Sequence, residues 1–272
     1  MKKHILSIAL VTSLALFACS GNKEKNASAA ENAATKQEAT FKISSLEVHE
    51  RYFYDKNDPE SPSFVIDISL PVVEMGNDDA EKKMESIVTN GCFQEYTEGE
   101  TFADAINGIR EIAKDFRWFD NMSKEDIAYY KNAEFYINIK GTASTGHKGC
   151  INYVIVYDEF AGGAHPNYGT TAFNISPVTG DEMTFDEIFK EEASKELTGM
   201  IKDGIAKHAG VATFQEVIDN GYIFDGNIFI SNNIILGKDT TTFIYNTYDI
   251  APRAFGEVLV KVPNDKIRHL IR

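Results

Sequence analysis

No stretch of this chain is apolar for the roughly 18 residues that a membrane-spanning helix needs. The longest, Ile5 to Phe17, is short and interrupted by Ser7, Thr12 and Ser13. Basic clusters are missing as well. With 27 Lys and Arg against 41 Asp and Glu, the net charge is −14, which argues against a nucleic-acid binder and against direct adhesion to anionic lipid. The usual catalytic patterns are absent too. There is no G-x-S-x-G elbow, since the run from Gly141 to Gly146 has one residue too many and falls in an expected hairpin. H-E-x-x-H and C-x-x-C do not occur, and the five histidines after residue 18 are scattered, so zinc has no local support. Asp55-Lys56-Asn57-Asp58 lacks the full spacing of a calcium loop. The sequence therefore assigns no catalytic residue, no metal and no cofactor.

What is present begins at the N-terminus. Lys2, Lys3 and His4 precede the apolar run, and a small residue, Ala18, precedes Cys19. By length and flanks this is a secretory signal over residues 1–18. Leu16-Phe17-Ala18-Cys19 resembles the bacterial lipobox, which implies that Cys19 is the site of lipid attachment and the first residue of the mature protein. An ordinary cleaved signal is the alternative. Several acyl chains on one residue suffice for stable anchoring. Residues 19–40 follow, and Ser20 to Thr40 contains no Val, Ile, Leu, Met or aromatic residue. Such a segment cannot bury enough surface to offset its ordering entropy, and reads as a flexible tether with a reach of about 25 Å. The expected location is that of an exported bacterial lipoprotein, periplasmic or anchored at the outer membrane, touching the membrane through lipid only. Loss of Lys2 and Lys3 with the signal takes the net charge from −14 to −16. That acidity suits a cationic protein partner, or solubility alone.

If Cys19 carries lipid, Cys92 and Cys150 remain. An oxidising envelope permits a disulfide between them, and two buried free thiols are the other outcome. From Phe41 onward roughly 230 residues carry regular apolar patterning, enough for one core or two fused lobes. Phe41–Tyr54 and Ser63–Leu70 read as strands, with Phe64, Ile66 and Ile68 alternating and Pro71 expected to end the second. Helices are expected over Asp78–Asn90 and from Thr101 to about Phe116, where apolar residues recur at three- and four-residue steps. Glu134–Thr145 and Cys150–Phe160 read as a hairpin around a Gly-rich turn. Thr170–Ile175 is a short strand. Thr184 and Glu187 form a capping box opening a helix, and Leu197, Ile201 and Ile205 mark another. Strands recur at Asn227–Leu236, Thr240–Tyr245 and Glu257–Val262, and Asp265–Ile271 closes with a helix. Strand runs and hairpins interleaved with helices predict an α+β fold, a largely antiparallel sheet flanked by helices.

Two segments carry a resemblance. Tyr157 to Pro166 ends in Gly162-Gly163-Ala164-His165-Pro166, and Tyr248-Asp249-Ile250-Ala251-Pro252 is followed by Val260-Lys261-Val262-Pro263. Together they resemble a bacterial envelope family of unknown function, whose relatives include the extracellular lysozyme-binding part of the anti-sigma factor RsiV and the non-catalytic modules of the deacetylase PdaC. The resemblance implies two adjoining modules packed as one unit, 41–160 and 161–272, the second bearing the loop. Gly162 and Gly163 permit positive φ, and Pro166 stiffens the chain so that His165 is presented on a fixed loop. These four residues form a turn-stabilising motif or a ligand contact. Tyr248–Pro252 is expected to be a packed bend, with the Tyr248 ring as core and Asp249 as a local cap.

Three functions follow as expectations. The first is a lipid-anchored envelope binding protein for lysozyme-like proteins or peptidoglycan fragments, without catalysis of its own. The second is an envelope hydrolase acting on glycan or ester bonds through His165 and nearby carboxylates. The third is a structural envelope lipoprotein.

Overall fold

The computed structural model describes residues 41–272, the side chains of residues 117 and 118 excepted. The signal, Cys19 and the tether lie outside the described residues. Among those described, no helix is long and apolar enough to cross a membrane.

The first sheet grows from alternating strands: β1 (Lys42–Phe53), β2 (Ser63–Glu74), β3 (Glu134–Thr145), β4 (Ile151–Phe160) and β5 (Asn167–Ile175), in that spatial order. Neighbours are antiparallel except β2 and β3, which run parallel from Ser63 opposite Glu134 to Ser69 opposite Lys140. A parallel step needs a long crossover. Here it is helical: α1 (Asp78–Cys92), α2 (Phe102–Lys114), α3 (Arg117–Asp120) and α4 (Lys124–Tyr129). Asn77 caps α1, and Thr101 with Asp104 forms a capping box on α2. Ile66 and Ile68 of β2, Ile137 and Ile139 of β3, and Tyr153 and Ile155 of β4 then form a core with Met84, Val88, Ile106 and Ile109 of the helices.

A second core follows. The short helix α5 (Phe185–Ile188) opens with the expected box, Thr184 and Glu187 bonding reciprocally. The long helix α6 (Ala193–Ala209) ends on Gly210 in the left-handed region, and α7 (Phe214–Asp219) packs beside it. These helices cover an antiparallel meander of β6 (Ile234–Leu236), β7 (Thr240–Tyr245) and β8 (Val258–Pro263), and α8 (Asn264–Ile267) follows. The fold is thus α+β, with a five-strand mostly antiparallel sheet and a smaller second sheet. Residues from 41 onward fall in one compact unit, and β5, which completes the first sheet, comes after residue 160.

The two sheets join through asparagines. β5 is the edge of the larger sheet, and an open edge is a pairing hazard. Asn233 accepts from the Ala172 N–H at 2.9 Å and donates to the Thr170 carbonyl at 2.7 Å. Asn246 accepts from the Thr170 N–H at 2.8 Å and donates to the same carbonyl at 2.9 Å. Buried Asn174 bonds Ile234 and Leu236 of β6, and buried Asn152 bonds Asn174. Side-chain amides thus stand in for a missing strand.

Several elements differ from expectation. β2 runs through Pro71 to Glu74, because pairing to β3 has already stopped at Ser69 and proline's missing N–H removes no bond on that side. The Tyr153 hydroxyl donates to the Pro71 carbonyl at 2.9 Å. The strand expected over Asn227–Leu236 shrinks to its last three residues. The Asn233 carbonyl still accepts from the Ile244 N–H at 2.9 Å, and the Ser231 and Asn233 side chains hold the rest of the preceding segment. The final helix is also short: Leu270 and Arg272 are drawn away to bond Lys190 and Ile188. The disulfide left open by the sequence is not formed. Cys92 packs against the first core, while Cys150 lies buried in the second with its thiol 3.8 Å from the Leu236 carbonyl.

Candidate functional site

The inner face of the larger sheet is covered by helices only in part. After α1 the chain turns through Phe93 to Tyr96, and beyond it the lower ends of β3, β4 and β5 are open. The register places Ile137 opposite Glu159, Ile139 opposite Tyr157, and Glu159 opposite Asn167. A cavity of about 290 Å³ opens there, with Cys92, Tyr96, Tyr157 and Thr171 among its walls. A second of about 330 Å³ adjoins it and reaches Gly162 and His165. The two share Glu95, Tyr96, Ile137, Glu159 and Asn167.

Hydrogen bonds fix the centre of this cleft. The Tyr96 hydroxyl donates to Glu159 Oε2 at 2.6 Å, and Asn167 Nδ2 donates to Glu159 Oε1 at 3.1 Å. Burial, with Glu159 and Glu95 close by, raises the Tyr96 hydroxyl far above the ordinary phenol range. Tyr157 is raised for the same reasons, burial first and then Glu159, Glu95 and Asp249. The Cys92 thiol is pushed up to about 12 by burial, against a bond from Thr171 that lowers it. It is a protonated thiol rather than a nucleophile at neutral pH. Two glycines shape the walls. Any Cβ at Gly169 would meet the Tyr157 hydroxyl at 2.7 Å, and one at Gly108 in α2 would run into the Tyr96 carbonyl.

The loop singled out in the sequence stands at the mouth. Gly162 and Gly163 adopt φ of 100° and 103°, conformations that favour glycine. His165 is exposed, with Nδ1 3.3 Å from the Pro166 carbonyl, and the residue is among those lining the outer cavity with Glu95 and Glu159. His165 thus engages its own loop and borders the cleft. Tyr248 corrects an expectation. The residue is 54% exposed rather than core, and its backbone sits at φ 75°. The tight turn that forces this is closed by Asp249, whose carboxylate accepts from the Asn246 N–H at 2.7 Å. The sequence reading singled out neither Tyr96 nor Glu95, which lie in no motif, nor Glu159, which lies in the Tyr157–Pro166 segment but ahead of its glycines. Among the described residues no group of three His, Cys, Asp or Glu side chains is arranged to hold a metal ion.

Residues 186–265 match the model of a family described as "Protein of unknown function (DUF3298)". The match spans α5 to α8, including Tyr248–Pro252, and lies beyond the Gly162–Pro166 loop. A DUF3298 family protein of Bacteroides fragilis, known from its crystal structure, is similar at 27% identity over 86% of this chain and 95% of its own, with a TM-score of 0.69. A second, from Pseudomonas aeruginosa, shares 11% identity over 85% of this chain and 95% of its own, with a TM-score of 0.57, a likeness of fold alone. No curated protein matches the sequence.

Proposed function

We propose that this chain is a lipid-anchored recognition module of the cell envelope, binding a lysozyme-like protein or a peptidoglycan fragment. The observation that carries it is the cleft: an aliphatic floor, two tyrosines and oriented polar groups, which is the make-up of a binding site. The Leu16–Cys19 lipobox and the resemblance of Gly162–Pro166 and Tyr248–Pro252 to RsiV and PdaC supply the location and the ligand class. Net charge favours encounter with a basic protein such as a lysozyme. Calorimetric titration of the full chain with several lysozymes and with muropeptides tests this. Binding at micromolar concentration is expected, and no binding below millimolar would overturn it.

One observation favours hydrolysis as a second reading: His165, Glu95 and Glu159 border the same cavity. In that case His165→Ala abolishes turnover of a glycan or ester substrate. Turnover unchanged by the substitution would dismiss it.

A further inference from the structure

The cleft is electrostatically one-sided. Glu95 and Glu159 line it, no Lys or Arg does, and Asp249 lies close enough to influence Tyr157. Among the described residues none of these three carboxylates enters an ion pair. We propose that the cleft receives a cation on an alkyl stem, the guanidinium or ammonium group of a basic side chain presented by the partner. This rests on the binding reading above and narrows it to a basic protein surface.

Each part of the cleft matches a part of that group. Ile137, Ile139 and Ile155 form an aliphatic floor for the stem. Tyr96 and Tyr157 supply phenol rings, whose faces attract cations. Glu159 is aimed in advance: each oxygen accepts one bond from a neutral donor, Tyr96 or Asn167, so its charge is undiminished and a lone pair on each oxygen is free. A planar guanidinium meets such a carboxylate with two parallel bonds. A neutral glycan could stack on the same tyrosines but would leave the negative field unanswered.

The test is calorimetry on the full chain with acetyl-tetra-arginine amide, its citrulline counterpart, and the N-acetylglucosamine tetramer. Citrulline keeps the shape and removes the charge. The arginine peptide is expected to bind at least about tenfold more tightly than the citrulline peptide. Glu95→Gln and Glu159→Gln should each weaken it by about tenfold, and Glu191→Gln on a remote exposed loop should not. Equal affinity for arginine and citrulline, indifference to Glu95→Gln, or binding of the glycan alone would each overturn the assignment. Lysozyme binding that survives both Gln substitutions removes this inference and leaves the broader reading standing. Binding of tetra-arginine without any lysozyme or muropeptide does the reverse.

Discussion

The Tyr96 hydroxyl and the Glu159 carboxylate, 63 residues apart, meet at 2.6 Å and join the segment between α1 and α2 to the end of β4. This bond holds the cleft in shape. Tyr96→Phe should lower stability by about 1 kcal/mol, read in urea denaturation as a shift in midpoint with unchanged slope. It should also weaken ligand binding, since Glu159 is then held by Asn167 alone.

Glycine at position 108 brings α2 against the Tyr96 backbone. In a helix interior Gly→Ala ordinarily stabilises by about 1 kcal/mol. Gly199 in α6 is exposed, and a methyl group there would meet nothing within 4 Å, so Gly199→Ala should follow that rule. Gly108→Ala should do the opposite, because its methyl group would collide with the Tyr96 carbonyl. Thermal melts that move in opposite directions are the expected result.

Asn233 closes the open edge of β5 with two bonds. Asn233→Ala strands a part-buried N–H and weakens the hold on a carbonyl, and should cost about 2–3 kcal/mol. Exposure of an unpaired edge also favours association between chains. Denaturant unfolding and light scattering read the two effects separately.

Glu50 accepts three contacts from the Arg110 guanidinium, the shortest 2.7 Å, and these bonds hold its carboxyl below the ordinary 4.5. A lowered folded-state pKa stabilises the fold above the unfolded value, and that contribution is lost as pH falls through the folded value. Stability should therefore drop as pH falls below 4.5, modestly because the pair is partly solvent-screened. In Arg110→Met the Glu50 share of this drop should shrink, the Tyr52 hydroxyl and Lys114 still favouring the carboxylate, as measured by melting temperature across an acid series.

Tyr248 holds a left-handed backbone that a tyrosine adopts at a cost of about 1 kcal/mol. Asn tolerates that region, and the exposed ring contributes little packing, so Tyr248→Asn should raise the melting temperature. A fall would show that the ring has a packing role not visible in its exposure.

Much of this architecture was legible locally. The alternation of Phe64, Ile66 and Ile68, the hairpin after Thr145 and the Thr184–Glu187 box each state a strand, a turn or a helix start within a few residues. Thr213 and Glu216 carry the same T-x-x-E pattern at the start of α7, where the Thr213 hydroxyl accepts from the Glu216 N–H, and were open to a similar reading. Harder cases arise where a distant partner decides. Pro71 stays in a strand because pairing to β3 stops at Ser69, and the segment before Ile234 is held largely by the Ser231 and Asn233 side chains, bonded to β7 and β5.

The sequence by itself determined the acidity, the element types and the glycine-dependent loop that carries His165, because composition and periodicity are properties of neighbours along the chain. Only the tertiary structure decided that Tyr96, Glu159 and Asn167 meet, that Tyr248 faces solvent, and that Cys92 and Cys150 pack in separate cores. Those outcomes depend on strand register and on the crossover between β2 and β3, where burial and hydrogen bonding between remote residues outweigh local preference.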